Sequence, residues 1–186
     1  MKKFLKALRP VIMCFVIMMV LCGVVYTDIV TGVAQLIFPA EANGSIITVT
    51  LQSGTEKAYG SALIAQEFTK PVYLIGRPMG TSNLSAVSAE QEALVKERVE
   101  WLHSIDPDND ADIPADLVTA SGSGVDPYIS PEAAEYQVPR IARERAISED
   151  AVREIITTYT SGKFLGFWGQ DGVNVLKVNL ALDGLI

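Results

Sequence analysis

Histidine occurs once in the 186 residues, as His103, and cysteine twice, as Cys14 and Cys22. Zinc sites are assembled from several imidazole, thiolate or carboxylate ligands, so this supply excludes the usual zinc centres. A Ser-His-Asp centre would have to be built on His103 alone. That residue closes a predicted exposed helix, where a solvated imidazole suits the negative helix end. The cysteines lie eight residues apart in one apolar stretch, about 12 Å along a helix and too far for an intrachain disulfide. All that follows them is cysteine-free and must be stable from its core alone, which its size allows. Ser121-Gly122-Ser123-Gly124 lacks the Gly-Lys-Ser/Thr ending of a phosphate loop and is not Gly-x-Ser-x-Gly. It is expected to be a turn whose glycine takes positive φ ahead of a helix. The carboxylates are scattered, with no pair placed for acid–base work. The chain does not read as an enzyme.

What the chain has instead is residues 10–27, PVIMCFVIMMVLCGVVYT, with no charged residue and no histidine. Eighteen residues of helix span about 27 Å, close to the hydrocarbon thickness of a bilayer. Ahead of it stand Lys2, Lys3, Lys6 and Arg9 with no acid; after it come Asp28 and Glu41. This asymmetry predicts a cytoplasmic N-terminus and an external C-terminal domain, extracellular or periplasmic, on a single-pass protein of the cell membrane. Small residues at Gly32-Val33-Ala34 and Ala40-Glu41-Ala42 would suit signal cleavage, but the apolar run exceeds a signal peptide's, so a retained anchor is expected. Leu21 before Cys22 does not fit a lipoprotein. The expected organisation is a cytoplasmic tail over 1–9, a transmembrane helix over 10–31, a linker over 32–44 and a domain over 45–186.

Residues 1–10 carry four basic residues and no acid; residues 11–186 carry 11 basic and 22 acidic, a net of −11. Nucleic acid and anionic lipid headgroups need basic footprints, so no nucleic-acid partner is expected, and the acidity reads as solubility. The acidic run 106–112 (DPDNDAD) has Asp106, Asp108 and Asp110 at calcium-loop spacing. It puts Ala111 where that loop needs Gly and Leu117 where it needs Glu, so calcium binding is not expected.

Within the domain, Ile46 to Leu51 is β-branched and predicts a strand turned at Ser53-Gly54. Residues 61–68 mix the two periods and stay undecided between strand and helix. Residues 71–76 (PVYLIG) predict a short strand, and 76–88 a loop. Ser88 with Gln91 has capping-box spacing for a helix with Leu94, Val95, Val99, Trp101 and Leu102 on its apolar face, ended by Pro107. Leu117-Val118-Thr119 predicts a short strand. Ser130-Pro131-Glu132 starts a helix that breaks near Pro139, and Ser148 caps another whose inner face is Val152, Ile155, Ile156 and Tyr159, with Gly162 as its stop. Residues 173–182 (VNVLKVNLAL) alternate and predict a strand. The fold class expected is α+β, a mixed domain on one N-terminal transmembrane helix.

The run 117–131, LVTASGSGVDPYISP, is similar to the signature of the C subunit of the Kdp potassium-transporting ATPase. So are GSALIAQ at 60–66, Gly76-Arg77-Pro78, Ser82-Asn83-Leu84, Tyr136-Gln137-Val138-Pro139-Arg140 and VNVLKVNL at 173–180, in the family's order across nearly the whole chain. The resemblance implies a noncatalytic subunit of a high-affinity, ATP-driven potassium importer. Its partners would be a channel-like potassium-translocating subunit, a P-type ATPase subunit, a small single-helix membrane subunit and the lipid bilayer. It implies roles in assembly and in raising the ATP affinity of the pump subunit as a catalytic chaperone; ATP and potassium are handled by the complex, and no cofactor is expected on this chain. With the domain outside and ATP inside, any such effect must pass through the membrane subunits as a coupling free energy.

The resemblance singles out Arg77, Asn83, Ser121, Gly122, Ser123, Gly124, Asp126, Pro127, Tyr128, Ser130, Gln137, Arg140, Asn174 and Asn179 as partner-facing or structural. Tyr128 stands where the family usually has His, and Gly169-Gln170-Asp171-Gly172 replaces a more usual Gly-Glu-Pro-Arg, which argues against essential chemistry there. The contrasting expectation, from the residues alone, is a freestanding anchored domain for an extracellular ligand; an anchored hydrolase is disfavoured by the single histidine.

Overall fold

A computed structural model describes residues 2–51, 53–81 and 83–186. Met1, Gln52 and Ser82, the last in the Ser82-Asn83-Leu84 motif, lie outside the described residues. The chain divides into two compact units, Met1–Ile46 and Ile47–Ile186.

The first unit is helical: α1 (Lys2–Val20), a π-helical turn (Leu21–Val25), α2 (Tyr26–Ile37) and the single turn α3 (Pro39–Ala42). Lys6–Ile37 forms one helix of 32 residues, long and apolar enough to cross a membrane. At 1.5 Å per residue it measures about 48 Å, more than the hydrocarbon thickness. The helix therefore runs past Thr31 into the stretch expected to be linker. At the π turn, beside Gly23, Thr27 Oγ1 donates to the Cys22 carbonyl at 3.1 Å, offering a second donor where the ladder loosens.

Strand β1 (Ile46–Thr50) pairs with β2 (Glu56–Ser61) through a turn with Gly54 at φ +78°. The body that follows consists of α4 (Ala89–Ile105), α5 (Ala115–Val118), β3 (Tyr128–Ile129), α6 (Pro131–Glu135), α7 (Val138–Arg145), α8 (Glu149–Thr158), β4 (Thr160–Ser161), β5 (Gly172–Asn174) and α9 (Val175–Leu182). It is a mixed helix–strand fold. The sheet order is β3-β5-β4, antiparallel throughout, with Tyr128 opposite Asn174 and Thr160 opposite Val173. Leu74, Leu102, Leu117, Ile129, Val138, Ile141, Val152, Val173 and Val178 are among the residues of the core that joins these elements.

Helix starts are set by short polar side chains. Ser88, Ser130 and Ser148 each accept from the backbone N–H three residues on, at 3.2 Å, replacing a donor's lost helical partner. Pro131 and Pro139 occupy first-turn positions, where no N–H is needed.

Two predicted strands are absent from the structure and a third is cut short. Residues 71–76 take neither helix nor strand, because side chains rather than a neighbouring strand satisfy their backbone. Leu117 and Val118 lie in α5, a single helical turn that buries both. Of residues 173–182 only the first two are strand; Asn174 Oδ1 accepts from Lys177 N at 3.1 Å and starts α9. The alternation misled because Val175, Val178, Asn179 and Leu182 also fit a helical face. Helix α8 stops at Thr158, ahead of Gly162, since β4 must pair with β5.

Candidate functional site

The motif residues separate into a buried set and a surface set. In the buried set, Gln137 starts α7 and clamps Ile75. Its Oε1 accepts from Ile75 N at 2.8 Å, and its Nε2 donates to Ile75 O and Ala133 O at 3.0 Å each. Asn179, on α9, does the same for Leu74: Oδ1 accepts from Leu74 N at 2.8 Å and Nδ2 donates to Leu74 O at 2.9 Å. Two primary amides thus reproduce the donor–acceptor pattern of a strand partner for an irregular buried segment. Arg140 is 2% exposed. Its guanidinium donates to Pro71 O, to Tyr73 O at 3.1 Å and to Gln137 Oε1 at 2.7 Å. Burial pulls its pKa down to about 10, against the opposing pull of Asp106 and Glu144. Asn174 caps α9 and donates to Ala62 O at 2.9 Å. These four side chains are structural clamps on residues 62–75.

The surface set converges on residues 121–130 and the facing loop at 76–81. Ser121 Oγ accepts from Gly124 N at 2.9 Å and Asp126 N at 3.4 Å; Ser123 Oγ accepts from Val125 N at 3.2 Å. Asp126 Oδ1 accepts from Tyr128 N at 3.0 Å. Gly124 O accepts from Gly80 N at 2.9 Å, and Val125 O accepts from Ala65 N at 2.8 Å. Gly124 sits at φ +71°, and a Cβ there would lie 2.6 Å from the Gly80 carbonyl carbon. Only glycine allows both this turn and this approach. Gly122, by contrast, has open space around it. Pro127 is buried, and its carbonyl accepts from Val175 N at 3.1 Å.

Arg77 Nη2 meets Asp116 Oδ1 at 2.8 Å, while Asp116 Oδ2 accepts from Ser130 N at 2.8 Å. Asp116, which no spacing in the sequence marks, therefore joins the two loops. Arg77, Asp116, Asp126, Tyr128, Ser130 and Asp171 are among the residues lining a cavity of about 370 Å³. A neighbouring cavity of about 350 Å³ shares Arg77 and adds Gln66, Phe68, Arg98 and Trp101 among its walls. The Tyr128 ring packs at the Gly172 backbone, where a Cβ would meet Cδ1 at 3.2 Å, so position 128 contributes a packed ring. Asn83 is exposed.

His103 is exposed in the last turn of α4, and among the described residues no group of three or more His, Cys, Asp or Glu is placed to hold a metal ion. Asp106 is committed elsewhere: Oδ1 pairs with Arg143 Nη2 at 2.6 Å, and Oδ2 accepts from Asn109 at 3.2 Å. The hydroxyls of Ser121 and Ser123 and one carboxylate oxygen of Asp126 accept from backbone N–H groups of their own loop. The arrangement offers a fixed, polar surface of defined shape.

The model of the KdpC family, described as the K+-transporting ATPase C chain, matches residues 8–184. The potassium-transporting ATPase KdpC subunit of Listeria welshimeri is 53% identical over 188 residues, covering 100% of this chain and 99% of its own length. Those of Clostridium perfringens and Clostridium botulinum are 48% and 45% identical, with at least 98% of each chain covered. A family match across almost the whole length, with relatives this close and this completely aligned, places the chain in the KdpC family of potassium-transporting ATPase subunits.

Proposed function

We propose that this chain is the noncatalytic accessory subunit of a high-affinity, ATP-driven potassium import complex, anchored by its N-terminal helix with the domain outside. Its partners in this reading are a channel-like potassium-translocating subunit, a P-type ATPase subunit and a small single-helix membrane subunit. The domain stabilises the assembly at the outer mouth of the channel-like subunit. The observation that carries the reading is the commitment of the Ser121, Ser123 and Asp126 side chains to the backbone of their own loop. A loop built this way presents shape to a partner and leaves no nucleophile–base pair for catalysis. Asn83 and the rim formed by Arg77 and Tyr128 are the surface residues that face a partner. The basic tail ahead of the apolar helix supports the outside placement.

An external domain raises the apparent ATP affinity of the pump subunit only through the subunits between them. The test is copurification of the tagged chain, followed by nucleotide binding to the isolated subunit. The expected result is retention of two larger membrane proteins and no specific ATP binding by the subunit alone. Micromolar ATP binding by the subunit would overturn the indirect route. Purification as a stable lone protein would favour a freestanding ligand-binding domain.

A further inference from the structure

The hairpin tip at 163–169 takes no part in the clamps or the cavities. Phe164 N donates to Trp168 O at 2.7 Å and Trp168 N to Phe164 O at 3.0 Å. Beneath them β4 pairs with β5, and Lys163 N donates to Asp171 Oδ1 at 3.1 Å. The tip is a braced extension of the sheet. Yet Phe164, Leu165, Phe167 and Trp168 are all 69–73% exposed. Leu165 takes φ +54°, a conformation that costs a bulky residue and is cheap for glycine. Among the described residues of Ile47–Ile186, no other segment exposes so many large apolar side chains together.

Composition and shape select the occupant. Residues 162–170 hold Lys163 and no acid, inside a stretch of chain whose net charge is −11. Phe and Trp beside a lysine form the mixture that settles at the headgroup level of bilayers, and the missing acid removes repulsion from lipid phosphate. A convex tip enters a fluid interface without a matching groove. The same chain carries a helix long and apolar enough to cross a membrane; with that helix inserted a bilayer is close and even weak partitioning has effect. We propose that residues 164–168 insert into the headgroup–acyl boundary of the phospholipid bilayer, giving the protein a second membrane contact.

The test uses the full chain carrying Trp101→Phe, in which Trp168 is the sole tryptophan, reconstituted in phosphatidylcholine nanodiscs with or without brominated acyl chains. The expected result is a blue-shifted Trp168 emission, strongly quenched by lipid bromines and weakly by aqueous iodide, with the quenching lost in Leu165→Ser/Phe167→Ser. Should Trp101→Phe fold poorly, the difference between the native chain and Trp168→Phe reads the same quantity. Quenching by iodide and not by bromolipid would overturn the proposal. So would shielding that arises only after the other subunits are added, since the tip would then rest on protein.

Discussion

Gln137 is 1% exposed and meets both polar groups of Ile75. Gln137→Leu keeps the volume and strands a buried N–H and C=O, and is expected to cost about 2–4 kcal/mol in chemical denaturation. Gly124→Ala must enter a left-handed turn and push Gly80 away; a loss of about 2 kcal/mol or more is expected from the same measurement. Tyr136 argues in the other direction. Its hydroxyl is buried with no hydrogen-bond partner among the described residues, and burial, helped by Asp106, raises its pKa above the ordinary value. The folded state thus keeps a proton that the unfolded chain releases near pH 10, so this contribution is complete below pH 10 and fades as pH rises beyond it. Tyr136→Phe is expected to match or exceed the parent at pH 7 and to show a flatter loss of urea midpoint between pH 9 and pH 11. A steeper loss would contradict the burial argument.

At the scale of elements, Asn174 both starts α9 and ties the segment at Ala62 to the sheet. Asn174→Ala is expected to cost about 2 kcal/mol, more than a simple cap, whereas Ser148→Ala should cost about 1 kcal/mol; paired denaturation curves of the two variants check the order. Helices were legible in the sequence where a serine cap stood ahead of a first-turn proline, as at Ser130, or ahead of a 3.6-residue apolar face, as at Ser88 and Ser148. The strand predicted at 71–76 was not, because its backbone partners are the side chains of Gln137, Arg140 and Asn179, more than 60 residues away. Nor was α9, because a largely buried helix is apolar on most sides and its few polar residues can fall in a strand-like alternation. Asp116 had no local signal at all: its role exists only once the 77 and 130 loops meet. The motif residues themselves stood out by resemblance, but their division into inner clamps and outer rim required the fold.

At the scale of the whole molecule stand a helix long and apolar enough to cross a membrane, a domain that spends its buried motif residues on its own architecture, and membership of the KdpC family. In the reading proposed above, the domain lies outside and acts through partners. The direct measurement is cysteine accessibility in intact cells. In a variant lacking Cys14 and Cys22, Ala111→Cys places one thiol at an exposed position between Asp110 and Asp112, which a membrane-impermeant reagent can reach only from outside. Labelling of intact cells, unchanged in extent after lysis, is the predicted result. Protection that disappears on lysis would put the domain in the cytoplasm, contradict the charge asymmetry around the helix, and make direct contact between residues 121–130 and nucleotide the better account.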